Sequence, residues 1–496
     1  MNKTFTDDEL ARELTRVLQN VFAVRESPEG LSQDNLPPGR LTPGPVLILP
    51  PDLTRIHSRA GFLTGIVCKH LAGADVAQQT QNRTAPNLYR LGAIMPALGT
   101  HRPLTPAELQ RMFPGCPADK FLPHRWREDT VELGRIESEW VAAAFGAVGT
   151  GQPVKLDESP FYTSWPVQVN RLLRDGLPPE PGKPRLPFSL IISIGQVVPH
   201  EIAGMANHTK NIFIGTGGAE AINKSHWLGA LYGLERLMGV TENPVRSLFD
   251  EAFRRYEHLL PPILWVLTVV DYHDKVRGLF CGFGRKCFEA AAALAAELNI
   301  ERITDESGGG IKKAVVWLDP AEYRSTWLGN KAIYRTRKAM VNAASGMDAA
   351  ASGMDAGELL ILAPGLNCFG EDPSLDALIR RYGYRGTEVI RREVKAAAGT
   401  GGGLADNLSA AAHLIHGSSE GRFTIRYCTP GTDSQGRALL GRRDIEGVGY
   451  AWGNLEEAAA RYMPQGLENQ KAGWNTTTDG ERYYFIRNPG LGLWVS

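Results

Sequence analysis

The sequence predicts an α/β protein of two α/β domains with mostly parallel sheets. Three observations carry this. Apolar runs of strand length alternate with helical patterns along the whole chain. The strands of the first half run out into polar loops, where open parallel sheets collect their ligands. Around Asp271–Arg277 the pattern resets and then repeats, which places one boundary near residue 275 and predicts domains over 1–275 and 276–496.

The elements follow in order. The acidic start, Met1–Leu18, reads as a helix and has no basic stretch leading into an apolar one, so it does not read as a signal peptide. Gly44–Pro50 is a strand ending in the polar loop Pro51–Arg55, and Ala60–Leu71 is the helix after it. Leu91–Leu98 is a second strand, ending in Gly99–Arg102 before the helical Pro106–Met112. Phe188–Val198 is a third, ending at Pro199-His200. The run Leu259–Val270 is too short for a bilayer and reads as a buried strand. In the second half Leu279 opens a strand, and Arg285–Leu298 is an alanine-rich helix. Ala314–Leu318, Glu358–Ala363 and Phe423–Cys428 are further strands. The near-repeat at 344–357 reads as a small-residue helix, and 396–403 as a loop. Trp474, Tyr483, Tyr484 and Trp494 suggest a packed ending.

Lys plus Arg (54) equals Asp plus Glu (54), so no global field draws the chain to nucleic acid or an anionic membrane, and neither is an expected partner. Six scattered cysteines without a CxxC pair suit free thiols in a reducing compartment, with the cytoplasm as the expected location.

The densest polar cluster runs from Gln196 through His200, Asn207-His208-Thr209-Lys210 and Gly215–Gly218 to Ser225-His226. Histidine is the usual acid/base and the commonest metal ligand. A glycine-rich turn opening a helix, as at Gly215–Gly218, is a natural phosphate seat. Gly218 to Ser225 approaches a P-loop pattern, but Asn223 stands where the second glycine belongs, and the match fails.

Five signals in order resemble the lactate racemase family. They are Pro51-Asp52-Leu-Thr54-Arg55, Gly99-Thr-His101-Arg-Pro103, Pro199-His200 with Lys210 and His226 beyond it, Asn243-Pro-Val-Arg246, and Tyr334-Arg335-Thr-Arg-Lys338. The resemblance implies a racemase or epimerase that inverts the carbinol centre of a small 2-hydroxy acid. It also implies a nickel-pincer nucleotide cofactor, so the enzymes that synthesise that cofactor become partners. Lys210 would be its covalent tether and His226 the protein ligand to nickel. Asp52, Thr54, Asn207 and Thr209 would lie around the cofactor, and His101 and His200 would be the acid/base pair. Arg55, Arg335 and Lys338 would hold the substrate carboxylate, with the active site in the cleft between the domains. Inversion through a ketone needs a proton acceptor on each face, which two histidines supply. A cationic clamp holds the keto acid while it turns.

This chain departs from the family pattern. Met205-Ala-Asn207-His208-Thr209 replaces a Ser-Gly-Gly-rich loop, which puts close backbone approach to a phosphate in question. Ile56-His57 follows Arg55 where a proline is usual. Arg335 stands for a glutamine and Leu408 near a tryptophan, which suggests a larger or more anionic substrate than lactate. Two other readings stay open: a catalytically silent sensor or carrier of a nucleotide or hydroxy acid, and a zinc hydrolase. The second lacks HExxH or clustered carboxylates. Asp52 also suits a plain helix cap, Thr105 caps the Pro106 helix, and Arg102 and Arg246 read as scaffold ion-pair partners.

Overall fold

The structure is a computed structural model and describes residues 3–22, 41–79, 89–146, 164–179, 184–304, 310–343, 357–399, 401, 403–432 and 435–496. The chain forms two α/β units, Met1–Ser225 with Gly239–Leu298, and His226–Met238 with Asn299–Ser496.

In the first unit, β1 (Gly44–Leu49), β2 (Tyr89–Ile94), β3 (Leu190–Gln196), β4 (Ile263–Val270) and β5 (Val276–Gly282) form one sheet in the order β2-β1-β3-β4-β5. The first four strands are parallel, with Ile48 beside Ile192 and Ile192 beside Leu264. All residues of β1, β3 and β4 are buried, as continuous apolar strands require when both faces are covered. Helix Asp7–Phe22 contributes Leu10, Leu14 and Leu18, and helix Ala60–Gln79 contributes Leu63, Val67 and Leu71, to one core with the sheet.

The expected boundary near 275 falls inside this unit. Strand β5 returns antiparallel to β4 through a tight turn, in which Asp271 accepts from the amides of His273 (2.9 Å) and Lys275 (3.0 Å). The break in periodicity therefore marks a hairpin that completes the first sheet. The chain first leaves the unit earlier, within the helix Ala219–Tyr232.

The second unit holds β6 (Lys313–Trp317), β7 (Gly357–Leu362), β8 (Phe423–Thr429), β9 (Ala451–Asn454), β10 (Gly473–Thr476) and β11 (Arg482–Ile486), in the order β9-β8-β7-β6-β11-β10. Only the β10–β11 pair is antiparallel. The segment His226–Met238 is tied to this unit by Glu235, whose carboxylate meets Arg337 (2.6 Å) and Arg422 (2.8 Å). Burial would raise the Glu235 acid, but the two guanidinium groups outweigh it and hold it low. The packed ending is present: Tyr484 and Trp494 both donate to Glu301, at 2.7 and 3.0 Å. Apart from Gly357 the near-repeat lies outside the described residues, as do residues 400 and 402 of the expected loop. Among the described residues, no helix is long and apolar enough to cross a membrane.

Candidate active site

Strand order decides where the first unit can bind a ligand. From β1 the chain moves outward to β2, and from β3 it moves the other way to β4, so the order reverses between β1 and β3. Open parallel sheets bind ligands outside the carboxyl ends of strands at such a switch point. Here β1 delivers Pro51–Arg55 and β3 delivers Val197–His200.

Asp52 does two things at once. Its Oδ1 caps the short 3-10 helix Leu53–Ser58, accepting from the Thr54 amide (3.1 Å) and hydroxyl (2.6 Å). Its Oδ2 takes Nδ1 of His101. The cap and the functional reading are thus compatible. A carboxylate on Nδ1 fixes the tautomer and leaves His101 Nε2 as the exchanging nitrogen. Gly99, at φ +57°, makes the turn that presents His101, and its amide donates to the Gly215 carbonyl (2.9 Å).

His200 is buried, in a two-residue ladder that pairs it with Gly204. Gly204 is obligatory there: φ is +73°, and a Cβ would lie 1.8 Å from the Val240 carbonyl oxygen. His200 Nδ1 accepts from the Ile202 amide (3.1 Å), so the neutral ring carries its proton on Nε2. Glu201 Oε2 lies 3.7 Å from the same Nδ1. The two rings therefore rest in opposite states at Nε2, one accepting and one donating.

Lys210 lies in the same electrostatic neighbourhood. Burial lowers its ammonium from 10.5 to about 8; Arg55 pushes the same way, while Glu201 and Asp52 push back. About a tenth is then neutral amine at pH 7, far more than for an ordinary lysine, as a lysine nucleophile needs.

The substituted loop before Lys210 keeps a glycine-like backbone without glycine. Asn207 and His208 stand at φ +68° and +56°. Their side chains turn into the protein: Asn207 lies against Gly195, and His208 packs on Trp265 (4.4 Å between ring centroids) and Phe288 (5.0 Å). Burial, with Arg246 and Arg285 nearby, keeps His208 neutral. Two consecutive left-handed residues are strained and persist only when their surroundings hold them. The restraint here is Arg246, fully buried, which donates to the carbonyls of Met205 and Asn207 and to the Thr209 hydroxyl (3.1 Å). Thr209 in turn donates to Asp250 (2.6 Å).

Several expectations change as a result. Thr209 is committed to Asp250 and Arg246, and Asn207 Oδ1 to the His208 amide (2.8 Å), so both side chains stabilise the loop rather than face a phosphate. Arg246 is a clamp on carbonyls more than an ion-pair partner, whereas Arg102 does pair with Glu108, at 2.5 and 2.9 Å. Gly215–Gly218 is buried packing rather than a phosphate seat. A Cβ on Gly217 would lie 1.9 Å from the Phe213 carbonyl oxygen, and one on Gly218 would lie 2.4 Å from Gln168 Oε1. That Gln168 oxygen already accepts from the Ala221 amide at the helix start.

The remaining expected residues belong to the second unit. His226 is half-buried at the start of its inserted segment. Arg335 and Lys338 share a face of helix Lys331–Ala343, but Arg335 is 1% exposed and donates to the Gly492 carbonyl (3.0 Å). Its guanidinium anchors the C-terminal strand Leu493–Val495, so the inference of a more anionic substrate does not carry over. Leu408 is buried, one residue after the cap Asn407. Lys338 is half-buried.

Among solved structures, the chain is similar to a protein from Thermotoga maritima, at 19% identity over 99% of this chain and 98% of that one, with a TM-score of 0.69. It is also similar to the lactate racemase apoprotein of Thermoanaerobacterium thermosaccharolyticum, at 14% identity, 98% and 93% coverage and a TM-score of 0.57. The chain has a lactate racemase-like fold. No protein-family model matches the sequence, and no curated protein matches it.

Within this lactate racemase-like fold, sequence reasoning missed two acidic residues. Glu201 was visible only as the neighbour of His200. Asp250 lies one helical turn beyond Arg246 in Pro244–Tyr256, and that spacing was the available signal.

Proposed function

We propose that the protein is a 2-hydroxy-acid racemase or epimerase of the lactate racemase type. The observation that carries this reading is the pair of imidazoles in complementary states, His101 steered by Asp52 and His200 by the Ile202 amide, in one unit with Lys210 near pKa 8. The donor set suits a nickel-pincer nucleotide: a partly neutral lysine for the tether, and one imidazole, His226, for the metal. Such a cofactor brings its own sulfur and carbon donors. A converging set of three His, Cys, Asp or Glu side chains, of which the described residues hold none, is therefore not required of the protein.

When bound, the cofactor would supply a reversible hydride acceptor. The residues do the rest. His101 Nε2 takes the hydroxyl proton on one face, and His200 Nε2 serves the other. Arg55 holds the carboxylate while the keto acid turns. The test is racemisation of single enantiomers of a 2-hydroxy-acid panel, by enzyme co-produced with the cofactor-synthesis proteins. At least one acid should be inverted, and His101→Ala and His200→Ala should each lose inversion. Inversion that survives in either variant would refute the two-base assignment, and binding of hydroxy acids without any turnover would favour the sensor or carrier.

A further inference from the structure

All six cysteines are free thiols, and two of them pack into the same apolar core. Cys68 lies on the helix Ala60–Gln79, and Cys116 lies in the turn after helix Pro106–Met112. Gly61, Gly65 and Cys68, spaced four and three apart, share one face of the first helix. That face runs along the backbone after the second. A Cβ on Gly61 would be 1.6 Å from the Met112 carbonyl oxygen, and one on Gly65 would be 3.9 Å from that of Pro114. The next step along both segments brings the Cys68 thiol beside that of Cys116, which packs against the same apolar core.

The two sulfurs differ in kind. Cys68 is 5% exposed within the apolar core, and Cys116 is half-buried at its edge. The neighbouring thiol and burial raise Cys68, whereas the neighbouring thiol and the Lys69 charge lower Cys116 against its own burial. A half-buried thiol with a lowered pKa beside a buried partner is the arrangement of an attacking and a resolving cysteine.

We infer that Cys68 and Cys116 form a reversible redox pair that closes to a disulfide by exchange with a low-molecular-weight disulfide. The Cys116 thiolate attacks one sulfur of that disulfide, forming a mixed disulfide and expelling one thiolate. Cys68 then gives up its proton and attacks the Cys116 sulfur, expelling the second. The protein loses two hydrogens and two electrons, and the small disulfide becomes two thiols. The bridge would tie the helix that follows the Asp52–Arg55 turn to the segment that follows His101. This inference does not depend on the proposed activity.

The test uses the folded full chain with glutathione disulfide, read by intact mass and peptide mapping. The wild type should lose the mass of two hydrogens and yield a Cys68–Cys116 cross-linked peptide, reversed by dithiothreitol. Cys68→Ser should accumulate a glutathione adduct on Cys116, and Cys116→Ser should give neither bridge nor adduct on Cys68. Three outcomes would overturn the inference: a wild type that stays reduced, a bridge between other cysteines, or modification of Cys68 in Cys116→Ser.

Discussion

At the scale of single residues, the reading turns on which nitrogen carries which proton. For His200 to give up its Nε2 proton without becoming an imidazolate, Nδ1 must gain a proton and release the Ile202 amide, from which it accepts at rest. Glu201, 3.7 Å from Nδ1, is the carboxylate placed to accept a hydrogen bond from that Nδ1–H. Glu201→Gln is therefore expected to lower kcat/KM by roughly 10–100-fold, the usual cost of losing a group that orients a histidine. The loss should be equal in both directions, because the equilibrium between enantiomers is fixed. Progress curves from each pure enantiomer measure this, and an unchanged kcat/KM would remove Glu201 from the account. Lys210 makes a second prediction. Labelling of its amine should reach half its maximal rate near pH 8, below the ordinary lysines. The same shift means that the unfolded chain holds a proton between about 8 and 10.5 that the folded chain has shed. The folding cost of charging Lys210 is full below about 8 and is relieved as pH rises through that window. Peptide mass spectrometry after pulse labelling across pH tests it; labelling of Lys210 only alongside the exposed lysines would contradict it.

At the scale of elements, the loop 205–209 shows what a sequence can reveal and what it conceals. Strands β1, β3 and β4 were legible as unbroken apolar runs, and helix Pro106–Met112 was legible from its Thr105 cap and proline. The loop was not, because its residue types argue against a glycine-like backbone and only tertiary restraint imposes one. The clamp that does so lies 37 or more residues away in sequence, at Arg246. Arg335 misled for a related reason: a cation at helical spacing from another looks like a substrate clamp, and its backbone carbonyl partner lies 157 residues on. Arg246→Met should leave the carbonyls of Met205 and Asn207 buried without their donor. A loss of about 3 kcal/mol is expected in urea unfolding at unchanged slope. A loss below about 1 kcal/mol would show that the loop holds its shape without the clamp.

At the scale of the whole molecule, the two-sheet architecture was readable from the repeated alternation of strands and helices, but the division of the chain was not. Periodicity cannot distinguish a hairpin that finishes one sheet from the start of another domain, and β5 is such a hairpin. Nor does local pattern reveal that the short segment beginning at His226 belongs to the second unit, since its anchors are Arg337 and Arg422, far along the chain. The consequence is that the proposed tether and the proposed metal ligand, only sixteen residues apart in sequence (226 minus 210), are held by different units. The most direct test of the central claim is intact mass with metal analysis on protein co-produced with the cofactor-synthesis enzymes. The account predicts a nucleotide-sized adduct that maps to Lys210, with nickel in equal amount. Lys210→Ala should lose the adduct, and His226→Ala should keep the adduct but lose nickel. An unmodified Lys210, or an adduct on another residue, would contradict it.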